Sequence, residues 1–148
     1  MNKINEIKPG LYLGNLYNVK KKTDAFDALN IDVIINCCDE YEHKERKNEK
    51  YTLEQFPIND DGLDDSFVTY MDVAADTIKN HMDNQKNIYV HCVQGVSRSV
   101  AIVIYYLMKY EKMSYDKAYV TVLLERSCIS PHPNFVSELK KREIAMHD

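Results

Sequence analysis

The stretch "IYVHCVQGVSRSVAIVIYYLM", residues 88–108, decides the reading of this chain. Its β-branched and aromatic start suits a buried strand, "NIYVHC", that stops at a His-Cys pair. From Ser97 to about Lys112 the residues are apolar nearly all round, which predicts a central helix. The loop "CVQGVSR" therefore joins a strand end to a helix start. Gly95 opens backbone conformations closed to other residues. The unpaired N–H groups and positive dipole end of the helix face the same point as the loop N–H groups. Together they form a nest for a tetrahedral anion.

Two side chains complete the nest. Arg98 supplies a planar fork for two phosphate oxygens. Cys92 lies at the base of a positive field, and such a field favours thiolate over thiol, moving a cysteine pKa from about 8.5 to about 3.5–7.5. An anion nest with a thiolate beneath it is a device for nucleophilic attack on phosphorus. His91 is expected to orient the loop through backbone hydrogen bonds rather than act as base. Ser99 is placed to donate to the Cys92 sulfur. A leaving alkoxide or phenoxide also needs a proton, so an acid must sit on another loop over the nest. The polar loop "INDDGLDD" offers Asp60, Asp61, Asp64 and Asp65.

Outward from this stretch, "INEIKPGLYLGN" reads as two short strands around Pro9-Gly10. "TDAFDALNI" reads as a short helix capped by Thr23 or Asp24, "IDVIIN" as a buried strand, and the mixed-charge run "DEYEHKERKNEK" (39–50) as a solvated loop or exposed helical turn. "YTLEQFPI" is a further strand. Phe67, Tyr70, Met71, Ala74, Ile78 and Met82 form one apolar stripe on a helix from Ser66 to about Asp83. Ser114 caps a helix over 115–125, and a last helix runs from Phe135 to about Met146. Strands alternating with helices predict an α/β fold: a central mixed, mostly parallel sheet of about five strands with helices on both faces. In such a sheet the ligand site lies beyond the carboxyl ends of the strands, where Cys92 stands.

The 148 residues suit one domain spanning 1–148. With 45% hydrophobic and 28% charged residues, a net charge of −4 and a pI near 5.7, the chain has no general attraction to nucleic acid or anionic membrane. No apolar run reaches membrane-spanning length, and no signal-peptide core or lipid anchor is read at the start. Cys37, Cys38, Cys92 and Cys128 match neither a zinc framework nor a disulfide scaffold, which points to a reduced cytoplasmic (or also nuclear) protein. No metal or cofactor is expected.

"HCVQGVSRS" (91–99) resembles the signature of the cysteine-dependent protein phosphatases: His-Cys, five residues, Arg, then Ser or Thr. "PGLYLGN" (9–15), "VIINC" (33–37), "FPINDD" (56–61), "SRSVAIVIYYLMKYEKMSYDKAY" (97–119) and "ISPHPNF" (129–135) look like the dual-specificity phosphatase catalytic domain, so the resemblance covers nearly the whole chain. It implies a two-step reaction on phosphotyrosine and phosphoserine/threonine. Cys92 is the nucleophile, and Arg98 with the backbone of Val93, Gln94, Gly95, Val96 and Ser97 holds the phosphate. In the family the acid follows an apolar-Pro-apolar strand end, which singles out Asp60, with Asp61 as the alternative. The expected partners are phosphorylated signalling proteins, MAP-kinase-type among them.

The variable loop positions carry no lysine, unlike relatives that act on inositol phospholipids, and Gln94 with Ser97-Arg98-Ser99 departs from RNA 5′-triphosphatases. These features weigh against, without excluding, a phosphoinositide or RNA 5′-triphosphate phosphatase; a further alternative is a phosphoprotein-binding pseudophosphatase, against which stand Cys92, Arg98, Ser99 and Asp60. The resemblance also implies a minimal enzyme with neither a preceding docking domain nor a leading helix. His132 stands where the family often has Asn. Arg126 is read either as a buttress of the signature loop or as a surface cation. Cys37 and Cys38 are read as core thiols, with capture of an oxidised Cys92 as the alternative.

Overall fold

The computed structural model describes residues 2–21, 23–43 and 50–146. Among the described residues five strands form one sheet: β1 (Asn5–Lys8), β2 (Leu11–Gly14), β3 (Val33–Cys38), β4 (Thr52–Ile58) and β5 (Ile88–His91), in the order β1-β2-β5-β3-β4. Only the β1–β2 pair is antiparallel; β2–β5, β5–β3 and β3–β4 are parallel. The expected mixed, mostly parallel sheet is the one observed. Gly10 makes the β1–β2 turn at φ +89°, the region glycine alone adopts freely.

Helices cover both faces. The two short helices α1 (Leu16–Lys21) and α2 (Thr23–Ala28) lie on one side, where Phe26 and Ile31 pack on Tyr12, Ile34 and Tyr89. The other side carries α3 (Ser66–Asp83), α4 (Arg98–Tyr110), α5 (Tyr115–Glu125) and α6 (Pro133–Met146) over Leu11, Leu13, Val33, Ile35, Ile88 and Val90. Alternation along each strand sends these two sets to opposite faces. The predicted α3 stripe is the packed one: Phe67, Met71, Ala74 and Ile78 are buried, and Tyr70 and Met82 pack against the core partly buried. In α4 every residue from Arg98 to Met108 is buried, as an all-round apolar helix requires. Ser114 caps α5 by accepting the Lys117 N–H at 3.1 Å.

Several boundaries differ from expectation: β3 ends at Cys38, two residues beyond "IDVIIN", and α2 at Ala28, before the end of "TDAFDALNI". α1 was not anticipated; its six residues are too few for a period to show. α4 starts at Arg98, next to the expected Ser97, whose hydroxyl accepts the His132 N–H at 2.9 Å, and it ends at Tyr110, short of Lys112, whose φ of +58° is not helical. α6 starts at Pro133, since proline suits the first helical position.

The topology places the site. β5 lies between β2 and β3, with His91 level with Gly14 on one side and Asn36 on the other. Cys92 therefore emerges at the carboxyl edge of the central strand.

Candidate active site

Cys92 is 3% exposed, at the foot of an open pocket of about 430 Å³ whose walls include Glu40, Asp60, Gln94, Ser97, Arg98 and His132. The structure thus brings Cys92, Arg98 and Asp60 onto one cavity. Val93 and Val96 also line it. Ser99, one residue into α4 and fully buried, has its Oγ 3.1 Å from the Cys92 Sγ.

The signature loop is held from outside at several points. Gly95 has φ +68°, and a Cβ there would come within 2.6 Å of the Gly14 carbonyl carbon and 2.7 Å of an Arg126 nitrogen. Arg126 is 2% exposed, so it is no surface cation. It donates to the Gly95 carbonyl (2.8 Å) and the Gln94 carbonyl (3.2 Å), and anchors itself on the Lys3 carbonyl and Asn5 Oδ1, both at 2.8 Å. With those two carbonyls turned outward to Arg126, the loop keeps its amides for the opposite side. On the far flank Ser130 N–H donates to the Val96 carbonyl (2.8 Å), and Leu16 N–H to the Val93 carbonyl (3.0 Å). The His132 backbone N–H donates to the Ser97 hydroxyl at 2.9 Å, while its Nδ1 accepts the Asn134 N–H at 3.1 Å.

Arg98 is 3% exposed and carries two carboxylates. Its Nη1 donates to Glu40 Oε1 (2.6 Å), the Ile58 carbonyl (3.1 Å) and Asp39 Oδ1 (3.2 Å), and its Nη2 to Glu40 Oε2 (3.3 Å). Partial burial works against the Glu40 charge, but the Arg98 bond outweighs it and lowers the Glu40 pKa. Asp60 Oδ1 lies 3.4 Å from the Arg98 Nε, near enough for an ion pair but not aligned as a hydrogen bond; Nε is buried without one. Asp60 itself is mostly exposed. Asp61, the alternative acid, is engaged in its own turn: its Oδ1 accepts the Leu63 N–H at 2.9 Å. Asp64 is likewise spent on Ser66, at 2.6 Å from the hydroxyl and 3.0 Å from the N–H.

His91 is fully buried on β5, with Nδ1 3.0 Å from the Cys92 carbonyl oxygen. Its Nε2 is 2.7 Å from the Nε2 of His43.

Where the run 39–50 is described it is a largely exposed loop, as expected, with residues 44–49 outside the described residues, but it also reaches the site. Asp39 and Glu40 engage Arg98, and His43 engages His91, three site-adjacent contacts that the sequence reading does not include. A sign was available: Asp39-Glu40 follow β3 directly, at the carboxyl edge where parallel sheets place ligands. The surrounding charge masked it. Cys37 and Cys38 are buried free thiols. Burial pushes the Cys38 pKa up to about 12 and that of Cys37 well above the usual thiol range. Among the described residues no group of three or more His, Cys, Asp or Glu is arranged to hold a metal ion.

The family model for the dual specificity phosphatase catalytic domain matches residues 11–145. The chain belongs to this family. Dual specificity protein phosphatase 1 of Homo sapiens is 33% identical over 142 residues, covering 93% of this chain and 36% of that protein. Tyrosine-protein phosphatase vhp-1 of Caenorhabditis elegans is 34% identical, covering 93% of this chain and 20% of that protein. The chain therefore spans about a third or less of the length of these relatives. Among solved structures, the human tyrosine phosphatase-like serine/threonine/tyrosine-interacting protein superposes with a TM-score of 0.89 at 26% identity over the full length of both chains. In this dual specificity phosphatase domain, no helix among the described residues is long and apolar enough to cross a membrane.

Proposed function

We propose that this domain dephosphorylates phosphotyrosine and phosphoserine/phosphothreonine in proteins through a cysteinyl-phosphate intermediate. The observation that carries the reading is the convergence of Cys92, Arg98 and Asp60 on one pocket, with the Ser99 hydroxyl 3.1 Å from the sulfur.

The Cys92 thiolate attacks phosphorus in line with the leaving oxygen, forming the S–P bond as the P–O bond breaks. The Arg98 Nε edge, buried and without a hydrogen bond, is the free donor for a phosphate oxygen. The loop amides from Val93 to Arg98 take the other equatorial oxygens, where charge is held through the transition state. Asp60, protonated, gives its proton to the leaving oxygen. As carboxylate it then takes a proton from the water that attacks phosphorus, and the S–P bond breaks. The Ser99 hydroxyl donates to the departing sulfur. His91 keeps the loop oriented through the Cys92 carbonyl.

Phosphorylated signalling proteins, MAP-kinase-type among them, are the substrates we assign, and four free thiols suit a reducing compartment such as the cytoplasm. The loop side chains offer no cation beyond Arg98, which favours a single phosphate over a phosphoinositide or an RNA 5′-triphosphate. The test is a release assay on phosphotyrosyl and phosphothreonyl peptides, a phosphoinositide and an RNA 5′-triphosphate, with Cys92→Ser as control. Peptide hydrolysis by wild type alone is expected. Turnover confined to the lipid or the RNA, or activity surviving in Cys92→Ser, contradicts the reading.

A further inference from the structure

We propose that His43 is a positioning residue that fixes the tautomer of His91 and, through it, the first peptide of the phosphate-binding loop. The observations are a chain of contacts with only one consistent arrangement of protons. The His91 Nδ1 is 3.0 Å from the Cys92 carbonyl, which can only accept, so Nδ1 carries the proton. Burial, the largest effect on this ring, keeps His91 neutral, with a pKa of about 3, so its Nε2 is bare and accepts. The partner at 2.7 Å is His43 Nε2, which must therefore be the donor.

The surroundings place His43 for this task. Gln55 of β4 accepts the His43 N–H through Oε1 (3.1 Å) and donates to the His43 carbonyl through Nε2 (3.3 Å). Asn36 of β3 donates to that same Gln55 oxygen (3.0 Å) and to the Tyr41 carbonyl (2.7 Å). The Tyr41 ring meets His43 edge-on at 4.9 Å, and Tyr89 stacks on His91 at 5.8 Å. Desolvation also lowers the His43 pKa, to about 4, which keeps the donor neutral.

The consequence for the loop follows from peptide planarity. With the Cys92 carbonyl drawn to His91, the Val93 N–H on the same peptide points the opposite way, away from the histidines. Without the His43 donor, His91 either orphans a buried Nε2 or moves its proton there and releases the Cys92 carbonyl.

Two measurements test this, and only the second rests on the phosphatase reading. In the first, wild-type protein labelled with [15N]histidine is studied by NMR. His91 is expected protonated at Nδ1 and bare at Nε2, with a coupling across the N–H···N bond from His43 Nε2. Protonation of His91 at Nε2, or no coupling between the rings, overturns the proposal whether or not the domain is a phosphatase. In the second, His43→Phe is expected to lower kcat about tenfold or more with KM within about twofold, while His43→Gln, whose amide keeps a donor, recovers most of it. Equal kcat in the two variants, or a loss that follows melting temperature rather than the donor, overturns it.

Discussion

Gly95 is the residue at which the loop has least freedom. Its φ of +68° and the close approach of the Gly14 backbone leave no room for a side chain. Gly95→Ala is expected to move the loop by about an ångström, away from the Gly14 backbone, and to cut kcat/KM about a hundredfold, since misplacement on that scale costs this much in a preorganised site. A variant with wild-type kcat/KM would show that the loop tolerates the shift. The acid assignment belongs to the same scale. Asp60 reaches into the pocket beside Arg98, whereas the Asp61 carboxylate faces its own turn. Asp60→Asn should slow turnover about 10²–10⁴-fold with KM little changed, and Asp61→Asn should stay within about threefold of wild type. Steady-state kinetics of both variants decide it; the reverse ranking moves the acid by one residue.

Between elements, the central strand β5 owes its position to parallel neighbours on both sides, and this brings the β3 cysteines near Cys92. Burial leaves the Cys38 thiol, with its pKa of about 12, almost wholly protonated at neutral pH, and Cys37 the same. Disulfide formation with an oxidised Cys92 needs a thiolate to attack it. Mass-spectrometric peptide mapping after brief peroxide treatment at pH 7 should therefore find oxidised Cys92 without a link to Cys37 or Cys38. A Cys92–Cys37 or Cys92–Cys38 disulfide as the main product would contradict this. The end of α5 is the other element-scale support. Arg126 closes that helix and reaches the Gly95 and Gln94 carbonyls, so its contribution to the site is made through the loop backbone.

At the scale of the whole molecule, α3, α4 and α6 are tied on their outer side by Asp72. It accepts from Tyr105 (2.6 Å), Arg142 (2.8 Å) and Lys109 (3.3 Å). Partial burial opposes its charge, but the bonds from Arg142 and Tyr105 outweigh that and hold its pKa at about 2. A carboxylate with a lowered folded-state pKa adds stability above its unfolded pKa, near 3.9, and loses it as pH falls towards the folded value. Asp72 is half exposed, so solvent screening reduces the effect to about 1 kcal/mol. Asp72→Asn should be less stable in urea at pH 7 by roughly that amount, and the gap should close as the pH falls from about 4 to about 2. A gap independent of pH would assign the loss to packing.

The same scale explains what could be read in advance. The sheet, α3 to α6 and the Cys92–Arg98 nest were legible because long periodic helices and a loop of fixed spacing carry their geometry in local sequence. α1 was too short to show a period. Asp39, Glu40 and His43 were not legible because their role depends on which strand stands beside β5. That order, β2-β5-β3, is set by long-range pairing and leaves no local trace. Arg126 is ambiguous in the sequence for the same reason: its burial comes from the β1 end of the chain and the signature loop meeting the end of α5.

The proposed reaction passes phosphate through the Cys92 sulfur. Rapid acid quench of wild-type protein mixed with a phosphotyrosyl peptide, followed by mass spectrometry of the peptide that contains Cys92, tests it most directly. A phosphate adduct on Cys92 is expected to form and decay within the turnover time and to be absent from Cys92→Ser, which also fails to hydrolyse the peptide. Hydrolysis with no adduct on Cys92, unchanged in Cys92→Ser, would contradict it.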